Sequence, residues 1–203
     1  ITLLSCELKL NSNIAVLSEN NDTKLCIEKT TFQRNFLGLQ ANDGSFVEIT
    51  DCTFTDNETH LEAANFATLD VRGTKLQLSG SGVGTNIGEN ANANFDDCVF
   101  RDEARCAITN LGNTSVANSV IEECAACGLV WNGVNAKGNI SHNQIKKNGP
   151  CGIQVMKGEI SIYDNTIEGH HVFGIYMTKE ATAPRIDNNT LSGNLQKDVQ
   201  IEQ

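Results

Sequence analysis

The groups best suited to moving protons lie close together near the middle of the chain. Asp96, Asp97, Asp102 and Glu103 are interleaved there with Arg101 and Arg105. Two carboxylates in one site, with an arginine beside them, can divide the roles of general acid and general base. The catalytic set this implies is Asp96, Asp97, Asp102 and Arg101. The competing and simpler reading is a solvated face, because mixed charges of this density usually point at water.

A second group is aromatic and basic. The chain has only one Trp and two Tyr, and Trp131, His170, His171 and Tyr176 fall where neighbouring structural units would bring them together. Such a patch could bind a ligand by ring stacking. The rival reading makes these edge and loop residues with no ligand. The eight cysteines are Cys6, Cys26, Cys52, Cys98, Cys106, Cys124, Cys127 and Cys151. Cys124 and Cys127 have the CxxC spacing, but no second CxxC follows and no helix opens beside them, so a zinc or redox motif is not expected. No residue pattern calls for a metal or another cofactor.

The elements that position these groups come from a repeat. The unit Ile140-Ser-His-Asn143-Gln-Ile145, followed by Cys151-Gly152-Ile153-Gln-Val155, returns as Ile162 to Ile167 with Phe173 to Met177, and again as Ile186 to Leu191. Carried backwards, the frame places Leu8, Phe32, Phe54, Leu76, Phe100, Val120, Ile145, Ile167 and Leu191 in one column, at spacings of 24, 22, 22, 24, 20, 25, 22 and 24. A preceding column reads Leu3, Ile27, Ile49, Val71, Phe95, Ser115, Ile140, Ile162 and Ile186, with a lapse at Ser115. Between them runs a small column of Cys6, Thr30, Cys52, Thr74, Cys98, Asn118, Asn143, Asn165 and Asn189. A third strand carries Val16, Leu39, Leu61, Val83, Ile108, Leu129, Ile153, Ile175 and Val199. A bend column holds Asn11, Asn35, Asn57, Asn148 and Asn194, interrupted by Ser79, Glu103, Glu123 and His170. Asp97 aligns with Asp51, His142 and Asp164, separated by Gly73 and Ala117.

A period near 23 residues, without a helical 3.6 spacing, requires stacked units that bury their apolar faces against one another. Each unit is then a coil of three short strands, pairing in parallel with its neighbours about 4.8 Å away. The expected fold is all-β: a right-handed parallel β-helix, or solenoid, of about nine coils of 20–25 residues. In this frame Cys6, Cys52 and Cys98 are small buried residues, and Cys106, Cys127 and Cys151 share one column on three successive coils. A disulfide or a thiolate metal site is geometrically conceivable in that column, but reduced, stacked thiols are the expected state.

These "IxxNxI … GIxV" units resemble the right-handed β-helix repeats of pectate lyases, polysaccharide epimerases and carbohydrate-binding or sugar-hydrolase modules. Similar modules without enzymatic activity occur in F-box adaptors and in the SHC-binding/Nessun dorma family. The resemblance covers nearly the whole chain and implies the fold. It leaves enzyme and scaffold both open, because the matching residues are core and turn positions.

Composition narrows the partners. The formal net charge of −10 disfavours nucleic acid and anionic membranes, both of which need a basic field. The frame fills residues 1–203 as one domain, expected to be a segment of a longer chain with a cap over at least one open end. The coils vary little in length and lack the long insertions that would build a cleft. The expected function is therefore a rigid interaction or scaffold module facing a protein or a glycan. The alternative is a carbohydrate-active enzyme using the carboxylate cluster. Cysteine columns point to a cytoplasmic setting; the alternative is secretion, where five Asn-x-Ser/Thr sites at Asn21, Asn57, Asn113, Asn139 and Asn188 would matter.

Overall fold

The computed structural model describes residues 1–202. Short strands form three nine-stranded sheets, and every pairing is parallel between one coil and the next. Each coil crosses the three sheets in turn; the third coil, for example, runs Phe46–Thr50, Thr53–Thr55 and Thr59–Ala63. Strands of the second sheet are only three residues long. A three-residue strand turns just its central side chain inward, which is why that column is so strictly apolar.

The interior is a set of stacked ladders. Ile27, Ile49, Val71 and Phe95 fill the first sheet's ladder, and Phe32, Phe54, Leu76 and Phe100 fill the second's; all are fully buried. Phe32 and Phe54 stack with centroids 4.3 Å apart. Each buried side chain of this size contributes roughly 1.5–3 kcal/mol, so the ladders dominate stability.

The structure corrects the frame at two coils. Phe95 pairs with Val116 and Val116 with Ile140, while Phe100 pairs with Ile121 and Ile121 with Ile145. The sixth coil therefore contributes Val116 and Ile121, not Ser115 and Val120, and both ladders are apolar at all nine coils. A one-residue slip reverses the faces of a strand, and only this register buries Val116 and Ile121. The same shift puts Ser119 in the small column instead of Asn118, and Cys124 in the bend column instead of Glu123. In the fourth coil Leu61 pairs with Thr85, not Val83. The extra residues form a protruding turn held by Glu58, whose Oε2 accepts the Ser81 N–H and hydroxyl, each at 2.8 Å.

Two bends per coil are built from left-handed residues. Lys29, Asp51, Asp97, Asn118, His142, Asp164 and Asn188 form one such column, with φ between 48° and 59°. Arg34, Asp56, Leu78, Asp102, Glu123 and Lys147 form the other. The left-handed region costs roughly 1–2 kcal/mol for most residues and least for Gly, Asn and Asp, which accounts for the acidic and amide content of these bends. Inside them run hydrogen-bonded side-chain ladders: Asn143 Nδ2 donates to Val116 O at 2.9 Å and to Asn165 Oδ1 at 3.0 Å.

Candidate functional site

The carboxylate cluster is spread over the first and second sheets and the bends that follow them. Asp96 lies on the outer face of the first sheet and accepts from Asn118 Nδ2 at 2.7 Å. Asp97 is a left-handed bend residue, and its column partner in the sixth coil is Asn118 instead of Ala117. Arg101 lies on the outer face of the second sheet, paired with Glu122, and Asp102 occupies the next left-handed bend. Glu103 points inward and is fully buried, its Oε2 accepting the Ser79 N–H at 3.0 Å and standing 3.3 Å from His60 Nε2. Asn57 donates to His60 Nδ1 at 3.1 Å, so Nε2 carries the proton that faces Glu103. A buried polar contact of this kind is costly to disrupt. It is part of the bend ladder, out of reach of any ligand.

The aromatic patch also divides. Trp131 is fully buried in the core, and His170 is fully buried in the bend ladder. His170 Nδ1 accepts the Asn148 N–H and its Nε2–H donates to Ile145 O, both at 3.1 Å. These are the two bonds an asparagine makes elsewhere in the column, as when Asn148 itself accepts from Cys124 N–H and donates to Ile121 O. Burial holds the ring below the ordinary imidazole value. His170 is thus a neutral asparagine substitute. Only His171 and Tyr176 reach the surface; Tyr176 stacks on Phe173 and its hydroxyl donates to Glu202. The sequon asparagine Asn57 is likewise buried.

The feature that does open to solvent lies on the outer face of the first sheet. Cys26, Glu28, Glu48, Thr50, Asp70 and Arg72, from three successive coils, line a polar depression of about 260 Å³. Register places Cys26, Glu48 and Asp70 in one row and Glu28, Thr50 and Arg72 in the next. The Cys26 thiol donates to Glu48 Oε2 at 3.2 Å, and Lys24 Nζ lies 3.2 Å from the same oxygen. These two partners hold Glu48 below the usual carboxylate range, while the bond to Glu48 pushes the Cys26 thiol up. Arg72 grips Asp70 with two bonds of 3.3 and 3.0 Å. The depression thus presents an ionised acceptor, a protonated thiol and a fixed guanidinium.

The face continues along the rod. Asn92, Asn113, Ser115, Lys137 and Asn139 line a second depression of about 320 Å³. Farther on, the Arg185 guanidinium lies 3.9 Å over the Tyr163 ring, with Asp187 holding Arg185 Nε at 2.8 Å. Among the described residues, no group of three His, Cys, Asp or Glu side chains could hold a metal. Cys26, Glu48, Asp70 and Arg72 were not among the sequence candidates. The available signal was alternation: they flank Ile27, Ile49 and Val71, so their outward direction follows from the ladder.

Stacked parallel coils with this ladder define the class, a right-handed parallel β-helix. Residues 1–167 and 110–203 match the right-handed β-helix region family, and the chain belongs to it. Among solved structures it is similar to a mutant of the periplasmic alginate epimerase AlgG, with a TM-score of 0.68 and 12% identity. The match covers 92% of this chain and 61% of that one; at this identity the likeness is one of fold. No curated protein matches the sequence.

Proposed function

We propose that this chain is a carbohydrate-active β-helix that holds an extended glycan against the outer face of its first sheet, with the Cys26–Glu48–Asp70–Arg72 depression as the reacting centre. One observation carries this reading: carboxylates from adjacent coils, a guanidinium and a protonated thiol converge in the depression. Coils repeat every 4.8 Å or so, close to the length of one pyranose unit, so one sugar can sit on each coil. Glu48, kept ionised, is the proton acceptor. Arg72, anchored by Asp70, is the cation that meets charge on the sugar. The fold neighbour, an alginate epimerase, supports a glycan role over the scaffold role that the uniform coil length favours.

A protein-binding role is the second reading. It is favoured by the outer face of the third sheet, where Gln40, Glu62, Asn86, Thr109, Val130, Gln154 and Tyr176 lie in one flat row. Charge still argues against nucleic acid and anionic membranes as partners, and the cysteine columns favour a cytoplasmic setting. The test is a panel of neutral and uronate polysaccharides, scored for binding and for new chain ends. Binding that weakens about tenfold in Glu48→Gln and Asp70→Asn supports the proposal. Absence of glycan binding, with a stoichiometric protein partner instead, overturns it.

A further inference from the structure

On the third wall of the rod, away from the glycan face, Cys106, Cys127 and Cys151 stand one above another on the fifth, sixth and seventh coils. The register fixes this: Ile108 pairs with Leu129 and Leu129 with Ile153, two residues beyond each cysteine. Gly128 N–H donates to Cys151 O at 3.0 Å, tying the two later cysteines together across the coils. Parallel neighbours about 4.8 Å apart lie inside the roughly 4.4–6.8 Å Cα span of a disulfide. Cys127 and Cys151 are 6% and 4% exposed, and all three thiols are free.

The column is not symmetric. Cys127 Sγ leans toward the seventh coil, 3.5 Å from Gln154 Oε1 on the strand that begins at Cys151. The nearness of the two thiols holds Cys151 below the usual thiol range and Cys127 above it. Cys106 has no such partner, and burial pushes it up to about 11. Cys124, the other half of the CxxC, faces the bend ladder, where burial also raises it and its N–H is bonded to Asn148 Oδ1 at 3.0 Å.

We propose that Cys127 and Cys151 form a reversible redox pair, which hydrogen peroxide oxidises to a disulfide joining the sixth and seventh coils. The Cys151 thiolate attacks the peroxide: an S–O bond forms, the O–O bond breaks, and the leaving hydroxide takes up a proton. Cys127 sulfur then attacks the sulfenic acid; the S–S bond forms, the S–O bond breaks, and a second water leaves with the Cys127 proton. Two electrons pass from the thiol pair to the peroxide. The bridge closes a loop that otherwise adds freedom to the unfolded chain.

The experiment treats the reduced, folded protein with hydrogen peroxide, alkylates the remaining thiols, and maps peptides by mass spectrometry beside a thermal melt. The expected result is one intramolecular Cys127–Cys151 peptide pair, with Tm raised by about 6–12 °C and both changes reversed by dithiothreitol. Cys106→Ser should keep the bridge, and Cys127→Ser or Cys151→Ser should lose it. A bridge mapped to Cys106–Cys127, or sulfinic acid at Cys151 without any bridge in the wild-type chain, overturns the proposal.

Discussion

His170 shows how a titratable side chain can serve as a structural amide. Replacing it with Asn keeps both bend bonds, so stability is expected to stay within about 1 kcal/mol of wild type. His170→Leu orphans the Asn148 N–H and the Ile145 carbonyl, at about 1–3 kcal/mol for each buried group; urea unfolding distinguishes the two. The ring's value in the folded chain lies below the ordinary 6.5, so between the two values the unfolded chain binds more protons and stability rises with pH. The contribution is complete above about pH 6.5 and is lost as pH falls through the window below it. His170→Asn is expected to remove that slope from the pH profile of the urea midpoint. Asp97 makes the converse point, because an acidic residue in a dense cluster proves to be a bend residue with φ of 53°. Asp97→Gly is expected to be neutral or stabilising, whereas Asp97→Val should cost about 1–2 kcal/mol, measured the same way.

At the scale of the strand, the register decides which side chains matter. Ile121→Ala is expected to cost about 2–5 kcal/mol by emptying a ladder position. Val120→Ala, facing outward one residue earlier, should stay within about 1 kcal/mol. Equal losses in urea melts would show the register wrong. Nine coils and their ladders were legible in the chain because Ile, Leu, Val and Phe recur at nearly constant spacing. The sixth coil was not, because Val120-Ile121 offers two apolar frames; aligning Val120 inward also put Ser115 in the ladder in place of Val116, and pairing with Phe95 and Phe100 resolves both. The fourth coil hid its register behind the turn held by Glu58. The candidate site was less legible for a related reason. Asp and Asn stand out in composition, yet here they concentrate where the backbone turns left-handed. Glu48, Asp70 and Arg72 are single residues per coil, and only stacking three coils makes them a site.

As a whole, the molecule is a rod of nine coils, roughly 40 Å long at the strand spacing, whose three walls carry different chemistry. The first wall is polar and indented, the second is narrow, and the third carries the cysteine column beside a flat row of mostly polar residues. Ion pairs such as Lys24–Glu48, Lys137–Glu159 and Lys146–Glu168 bridge successive coils. At the surface each contributes little, about 0–1 kcal/mol, so the walls differ in what they can bind more than in how they hold the rod together. The central claim is that the first wall is the glycan site and that the acidic bends are not. The most direct test is affinity for a bound polysaccharide in two double variants, Glu48→Gln with Asp70→Asn and Asp97→Asn with Asp102→Asn. Loss of at least about tenfold in the first variant with wild-type affinity in the second is the expected result. Wild-type affinity in the first and loss in the second would contradict it.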